Sequence, residues 1–322
     1  MRVTAGVTVL ALVLCGTGRT IAQSPQQQSP IFKSNTSLVA LNVIVTDIKQ
    51  QYAGGLRAED FEVYEDGVRQ QVEFFATAEV PLDLILLIDA SSSMSDKVSI
   101  VHDAANGFIQ TLRRGDRAAV VSFADGVRVL QPLTDDHALV RQAIDQTAAK
   151  GATALHNAIY VALKEFGRRP SGSSDVRRQA IAVLSDGEDT SSLLSFDDVL
   201  EMAKRSGVSI YTIGLKGHAA QASAERRYFS QSDYAMKQLA TETGAVPFFP
   251  QNVRELGKIY GAIATELASQ YSIGYVPRNV REDGRFRRVV VRVANRPELK
   301  SRTRTGYFLT SADTLAAGFS SR

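Results

Sequence analysis

The fold is decided by the stretch LDLILLIDASSS, residues 82–93. Residues 82–88 are apolar except for Asp83, and a continuous apolar run of this length is typical of a strand that is buried on both faces. Small and hydroxyl-bearing residues follow the run at once, which predicts that the strand ends near Asp89 and passes into a loop. Such a strand is expected at the centre of a parallel sheet covered by helices.

Strand-like and helix-like segments alternate after this stretch. Apolar segments of strand length occur at residues 118–123, 127–130, 181–184, 208–213 and 246–249, and segments with helical periodicity occur at residues 95–112, 136–147, 153–166, 196–205, 234–241 and 253–268. Strands that alternate with helices require crossover connections, which place parallel strands side by side with helices on both faces. The predicted fold for residues 80–268 is therefore of the α/β class, a doubly wound, mostly parallel sheet of the Rossmann-like kind.

The segments on either side of this region have a different pattern. Residues 36–79 and residues 269–309 contain short stretches in which apolar residues recur with a period of two, as in β-strands. The pairs Asp66-Gly67 and Asp283-Gly284 are two-residue hairpin signals. Each segment offers about three strands, a number that is marginally stable alone. We therefore expect the two β segments to pack together as one small β module.

The first 22 residues are typical of a signal peptide. Arg2 provides the positive charge, residues 7–14 form a short apolar run, and Ala22 ends a small-residue cleavage site. We expect cleavage before Gln23 and export to the periplasm or the medium. Lipidation at Cys15 and an uncleaved anchor are the alternatives.

The remaining terminal segments have the composition of linkers and tails. Residues 23–35 are rich in Gln, Ser and Pro and are expected to be a flexible lead-in, and residues 310–322 are expected to be a frayed tail. No second apolar stretch reaches the length of a membrane span, so none is expected after signal cleavage.

The charge balance of the chain and the motifs that it lacks argue against several classes of function. The 322-residue chain has 37 basic and 34 acidic residues, and loss of Arg2 and Arg19 leaves 35 basic residues, so no basic excess favours nucleic acid as a partner. The chain contains no G-x-S-x-G, S-x-x-K, P-loop or H-E-x-x-H motif, and its single cysteine, Cys15, lies in the predicted signal peptide. We therefore predict that the protein is not an enzyme.

Oxygen-bearing side chains recur where predicted strands end or helices begin. Asp89, Ser91 and Ser93 follow the first buried strand, Thr153 lies on a glycine-opened loop before a helix, and Asp186 follows a later buried strand. Because ligands bind at the carboxyl ends of strands in an open α/β sheet, we expect these five side chains to meet at one edge. Mostly neutral oxygen donors favour a small, hard cation that keeps some waters, which means Mg²⁺ or Mn²⁺.

This pattern resembles the metal-ion-dependent adhesion site of von Willebrand factor type A domains. The family has the motif D-x-S-x-S followed by a distal threonine and a distal aspartate, and Asp89, Ser91, Ser93, Thr153 and Asp186 match it in order. The resemblance implies that the two serines ligate the cation directly, that the threonine does so when a partner is bound, and that the two aspartates act largely through water. It also implies that a carboxylate of a partner protein completes the coordination. The flanking β segments resemble those of secreted bacterial proteins of this family.

Three functions are compatible with this pattern. The favoured interpretation is an exported, non-enzymatic adhesion or binding protein that uses the cation to hold an acidic group of a partner protein. The first alternative is an envelope assembly or structural protein in which the metal only stabilises the fold. The second is a hydrolase that uses the cation as a Lewis acid, for which the sequence offers no recognisable base or nucleophile.

Other charged residues near the motif are given structural roles. Glu188 and Asp189 are expected to form a solvated acidic loop, and Asp125 is expected to be a turn residue. Asp89 and the adjacent serines would also be suitable residues to cap the helix that follows them.

Overall fold

The computed structural model describes residues 38–77, 80–167, 177–185, 188–215, 230–281 and 283–309. The strands in the described residues are β1 (Val39–Thr46), β2 (Phe61–Glu65), β3 (Val68–Gln70), β4 (Val72–Ala76), β5 (Leu82–Asp89), β6 (Arg117–Phe123), β7 (Val127–Thr134), β8 (Arg178–Ser185), β9 (Ser209–Gly214), β10 (Pro247–Phe248), β11 (Tyr271–Tyr275), β12 (Phe286–Val293), β13 (Lys300–Arg302) and β14 (Gly306–Phe308). The α-helices are α1 (Val98–Ile109), α2 (His137–Asp145), α3 (Leu155–Phe166), α4 (Phe196–Ser206), α5 (Gln231–Glu242) and α6 (Leu256–Ala268).

The central sheet has the strand order β10-β9-β8-β5-β6-β7. All its pairings are parallel except that of β7, which runs antiparallel to β6. The chain passes from β5 to β6 on one side and later returns to β8 on the other side, so the strand order reverses between β5 and β8. Ligand crevices of open α/β sheets form at such a reversal. The predicted α/β class and mostly parallel sheet are confirmed.

The two faces of the central sheet are covered by different helices. Leu84, Leu86 and Ile88 of β5 belong to a buried cluster with side chains of α1, α2 and α6. Ile85 and Leu87 face the other way and join a second cluster with side chains of α3 and α4. Because neighbouring residues of a strand point to opposite faces, a strand between two helical layers must be apolar at nearly every position, as residues 82–88 are.

The two flanking β segments combine into two antiparallel sheets of four strands each. Their strand orders are β13-β1-β11-β4 and β14-β12-β2-β3, so each sheet contains strands from before and after the central sheet. One apolar cluster lies between the sheets and includes Val43, Val63, Ile273 and Val291. The expectation that the two segments form one β module is confirmed. We refer to these two sheets as the β module.

Several predicted element boundaries are wrong by a few residues. The helix expected from residue 95 begins at Val98, because residues 95–97 form a turn that continues the 3₁₀ turn at Ser92–Met94. Residues 269–309 form four strands instead of about three, because the last part of this segment contains two short strands, β13 and β14, which belong to different sheets of the β module. A chain that crosses between packed sheets must leave one hydrogen-bonding ladder before it joins the next, and sequence periodicity does not show that break.

Some expectations concern residues that the structure does not describe. The predicted signal peptide (1–22), lead-in (23–35) and tail (310–322) all lie outside the described residues. Within the described ranges, no helix combines the length and the apolar character that crossing a membrane requires.

Candidate metal centre

Asp89 is the last residue of β5 and is held by hydrogen bonds to both of its carboxylate oxygens. Its Oδ1 accepts from the backbone N–H of Ser91 at 2.8 Å, and its Oδ2 accepts from the hydroxyl of Ser185 at 2.6 Å. Ser185 is the last residue of β8, so this second bond spans the point where the strand order reverses. The carboxylate is only 3% exposed and therefore has a fixed orientation at the carboxyl edge of the sheet.

Ser91 and Ser93 bring their hydroxyls together in the loop that follows Asp89. Their Oγ atoms lie 3.0 Å apart. Ser91 is buried, Ser93 is exposed, and the buried Met94 anchors the turn between the loop and α1 in the apolar core. Oxygens at neighbouring corners of an octahedron with metal–oxygen bonds of about 2.0–2.1 Å lie about 2.9 Å apart. The hydroxyl pair therefore fits two adjacent positions around Mg²⁺, and one hydroxyl is open to solvent.

A buried lysine fixes the far side of the same loop. The Lys97 ammonium donates to the carbonyl oxygen of Ser93 at 2.7 Å, and it lies 3.6 Å from the carboxylate of Asp96. Its side chain is only 8% exposed. The loop is thus hydrogen-bonded on both sides, by Asp89 at its start and by Lys97 at its end.

The loop that contains Thr153 is joined directly to the first loop. The N–H of Lys150 donates to the carbonyl of Ala90 at 2.7 Å, and the N–H of Ser92 donates to the carbonyl of Gly151 at 3.0 Å. The Ser92 hydroxyl accepts from the N–H of Gly151 at 2.9 Å. Three hydrogen bonds therefore fix the position of the second motif element against the first.

Thr153 is also held by the loop that follows β8. Its N–H donates to the Thr190 hydroxyl at 3.0 Å, and its carbonyl accepts from the N–H groups of Thr190 and Ser191 at 2.9 and 3.1 Å. Thr153 is 5% exposed. Its loop is consequently bounded by both of the loops that carry the other motif elements.

Asp186, the fifth predicted ligand, lies outside the described residues. It directly follows Ser185, whose hydroxyl contacts Asp89, but its role stays a prediction. Among the residues that are described, no three His, Cys, Asp or Glu side chains converge as a metal-binding group. The four described members of the motif contribute one carboxylate and three hydroxyls, a donor set suited to a hard cation that retains water ligands.

Two carboxylates outside the five-residue motif, Asp125 and Asp189, support the Thr153 loop. Asp125 Oδ1 accepts from the N–H of Ala152 at 2.6 Å. Asp189 Oδ1 accepts from the N–H of Leu155 at 2.9 Å, and its Oδ2 lies 3.0 Å from Nδ1 of His156. The expectation of a solvated loop is therefore wrong for Asp189, whose side chain is 15% exposed.

Sequence patterns gave little indication of these supporting residues. Asp125 and Asp189 bond to backbone groups 27 and 34 residues away, and Ser185 bonds to a side chain 96 residues away. Their positions next to strand ends and loops that carry motif residues are the one signal that points to them.

The chain is similar in sequence or in structure to several known proteins. The chain is 28% identical over 199 residues to a UPF0353 protein of Mycolicibacterium paratuberculosis, a match that includes 57% of this chain and about 60% of the relative's length. It is similar in structure to proximal thread matrix protein 1 from the mussel byssus, with a TM-score of 0.50, 20% identity, and coverage of 63% of this chain and 51% of that one. A von Willebrand factor type A protein from Catenulispora acidiphila has a TM-score of 0.49 and 15% identity, with coverage of 88% and 76%.

The sequence itself gives the decisive match. The family model of the von Willebrand factor type A domain matches residues 83–262, which is more than half of the chain and includes nearly all of β5, all of β8 and all the loops described above. This chain belongs to the von Willebrand factor type A domain family.

Proposed function

We propose that this protein is an exported, non-enzymatic binding protein that holds an acidic group of a partner protein through Mg²⁺ or Mn²⁺. The observation that carries the proposal is the pair of Ser91 and Ser93 hydroxyls, 3.0 Å apart, beside the buried carboxylate of Asp89. They lie at the strand-order reversal of the sheet, where open α/β folds bind their ligands.

The charge of this donor set favours an anionic partner. The serines and Thr153 are neutral, and Asp89 is the one carboxylate among the described donors. A divalent cation bound mainly by neutral oxygens keeps most of its positive charge, so an incoming carboxylate gains a strong electrostatic interaction. In this proposal Ser91 and Ser93 bind the cation directly, and Asp89 and Asp186 bind it largely through water.

Metal binding is tested by titrating Mn²⁺ into the protein and measuring the heat of binding. We expect Asp89→Ala and Ser91→Ala each to weaken Mn²⁺ binding by about tenfold or more, since each variant removes an anchor of the cation. Ser99→Ala is the matched control, because this serine is exposed on α1 and outside the motif loop. Circular dichroism should show that all three variants are folded. Equal Mn²⁺ affinities in the wild-type protein and both motif variants would contradict the proposal.

Partner binding is tested by affinity capture from an envelope extract with Mg²⁺ and with EDTA side by side. We expect a partner that is captured with Mg²⁺, is lost in EDTA, and is lost with Asp89→Ala. Thr153→Ala should reduce partner capture more than Mn²⁺ affinity, because this residue is proposed to ligate once the partner is present. A partner that binds equally well in EDTA rules out the cation-mediated mode, and metal-dependent melting without any partner favours a purely structural metal.

The proposed export has its own test. Mass spectrometry of the protein isolated from its source should find Gln23 at the amino terminus. A chain that retains Met1 in the cytosol would overturn this part of the proposal.

A further inference from the structure

An exposed apolar side chain lies beside the candidate metal centre. Leu193 is 94% exposed, the highest value among the large apolar residues that the structure describes. It belongs to residues 189–195, which lie between the carboxyl end of β8 and the start of α4, at the edge of the sheet that carries the motif loops. Thr190 of this segment contacts Thr153. Three residues of chain span at most about 11 Å, so Leu193 lies within that distance of Thr190.

The fold does not use the Leu193 side chain. Its neighbours Leu194 and Phe196 pack against the apolar cluster that α3 and α4 form with the central sheet. Leu193 is in none of the apolar clusters of the described residues. A single exposed leucine is common on protein surfaces, so its exposure alone indicates nothing. The backbone around Leu193 provides the further evidence.

That backbone is held firmly against the start of α3. The N–H groups of Leu193 and Leu194 donate to Asn157 Oδ1 at 3.2 and 3.3 Å, and the N–H of Asn157 donates to the Ser192 hydroxyl at 3.0 Å. The Leu194 carbonyl oxygen lies 3.1 Å from Nδ1 of His156. A segment that is already ordered loses little conformational entropy when a partner binds, which favours binding. The loop therefore presents Leu193 from a prearranged backbone.

The composition of the loop indicates what kind of group Leu193 can receive. None of residues 190–195 carries a charge. A charged side chain of a partner would lose water here without gaining a counterion from these residues, whereas an apolar side chain gains free energy from burial against leucine. The loop is therefore suited to an apolar group of a partner that is bound at the adjacent metal centre.

We propose that the partner's acidic residue has an apolar side chain within three residues of it in the sequence, and that this side chain packs against Leu193. The inference rests on the proposed function, which places the acidic residue on the cation. An extended segment advances about 3.3 Å per residue, so three residues from the carboxylate reach about 10 Å across the edge of the sheet. Burial of about 40 Å² of apolar surface strengthens binding about fivefold.

The test uses short peptides as probes and the full chain saturated with Mn²⁺. The parent peptide has seven residues, a central glutamate between glycines, with both ends blocked. Six further peptides each carry leucine in place of one glycine, and calorimetry measures the affinity of every peptide. We expect at least one leucine peptide to bind the wild-type protein about fivefold more tightly than the parent peptide does.

Two variants identify Leu193 as the source of this preference. Leu193→Ser should bind every leucine peptide as weakly as the parent peptide, while its melting temperature, Mn²⁺ affinity and affinity for the parent peptide stay those of the wild type. Leu139→Ser is the matched control, because Leu139 is also exposed, at 43%, and belongs to α2. This helix follows the end of the antiparallel strand β7, at the opposite edge of the sheet. The control should keep the preference for leucine.

The possible failures separate this inference from the proposed function. If the parent peptide binds and no leucine peptide binds more tightly, the proposed function stands and the role of Leu193 is overturned. A preference for leucine that Leu193→Ser retains would also overturn that role. If no peptide binds in the presence of Mn²⁺, both the proposed carboxylate binding and the role of Leu193 are rejected.

Discussion

At the scale of single residues, Gly151 allows the two loops of the candidate metal centre to meet. Its backbone has φ of +91°, a conformation that glycine adopts without steric cost. A Cβ at this position would lie 2.2 Å from Asp125 Oδ2, and Asp125 also fixes the next backbone N–H. Alanine here would therefore add backbone strain and displace the carboxylate that supports the Thr153 loop.

We predict that Gly151→Ala lowers the free energy of unfolding by about 1–3 kcal/mol and weakens Mn²⁺ binding. Urea denaturation and Mn²⁺ calorimetry measure the two effects. Gly126→Ala is the matched control, because Gly126 lies on the neighbouring loop with an ordinary φ and open space around its Cα. Equal losses in both glycine variants would show that the close approach to Asp125 does not matter.

Some residues of this site can be predicted from the sequence and others cannot. Asp89, Ser91 and Ser93 are recognisable because they are contiguous and their spacing is fixed by a single loop. Ser185 and Asp189 are not recognisable in this way, since their partners lie on other strands and loops. Only the folded sheet brings those groups together, and the role of the motif residues as metal ligands stays a prediction.

At the scale of secondary-structure elements, the start of α3 depends on a residue from outside the helix. The N-cap residue Ala154 provides no side-chain cap, and the N–H of Leu155 donates instead to Asp189. The Asp189 carboxylate also lies beside the His156 ring. The next residue in the chain, Thr190, accepts a hydrogen bond from the N–H of Thr153. One loop residue thus both caps the helix and locates the loop of the candidate site.

We predict that Asp189→Ala lowers the free energy of unfolding by about 1–2 kcal/mol, the usual effect of removing a helix cap. Urea denaturation measures the change. The neighbouring Glu188 is exposed, so Glu188→Ala serves as the control and should stay within about 0.5 kcal/mol of the wild type. If the two variants were equally stable, the trans-capping role would be rejected.

Element boundaries were less predictable than element types. The alternation of strands and helices follows directly from the change in apolar period, which is why the central sheet is predicted correctly. The 3₁₀ turn at Val253–Glu255 shortens one predicted helix, and the turn at residues 95–97, which continues the 3₁₀ turn at Ser92–Met94, shortens another. Such turns share the helical spacing of apolar residues, so periodicity alone does not separate them from the α-helix that follows.

At the scale of the whole molecule, one buried carboxylate joins the β module to the central sheet and another lies inside the β module. Glu266 of α6 is 4% exposed and accepts from the Tyr211 hydroxyl of β9 at 2.8 Å and from Arg302 of β13 at 2.6 Å. Within the β module, Glu65 accepts from the hydroxyls of Tyr275 and Tyr307 at 2.8 and 2.7 Å. Glu266 therefore links the central sheet and the β module by hydrogen bonds.

Buried tyrosines make the stability of the folded chain sensitive to alkali. Burial is the main cause that raises the pKa of each of the tyrosines Tyr211, Tyr260, Tyr275 and Tyr307. Well below pH 10 all four are neutral in both the folded and the unfolded chain. Above that pH the unfolded chain loses these protons while the folded chain keeps them, so stability falls as pH rises.

We predict that Tyr260→Phe makes this alkaline loss of stability less steep. Burial is the one cause that raises the pKa of Tyr260, whose ring stacks on Phe108 with centroids 5.0 Å apart, and phenylalanine keeps that packing. Each tyrosine that ionises only in the unfolded chain contributes a slope of about 1.4 kcal/mol per pH unit. Urea denaturation of both proteins from pH 8 upward should therefore give curves that run parallel below pH 10 and diverge above it by about that slope. Lysines that titrate in the same range are common to both proteins and cancel in the difference. Curves that stayed parallel above pH 10 would mean that the Tyr260 hydroxyl ionises as readily in the folded chain as in the unfolded one.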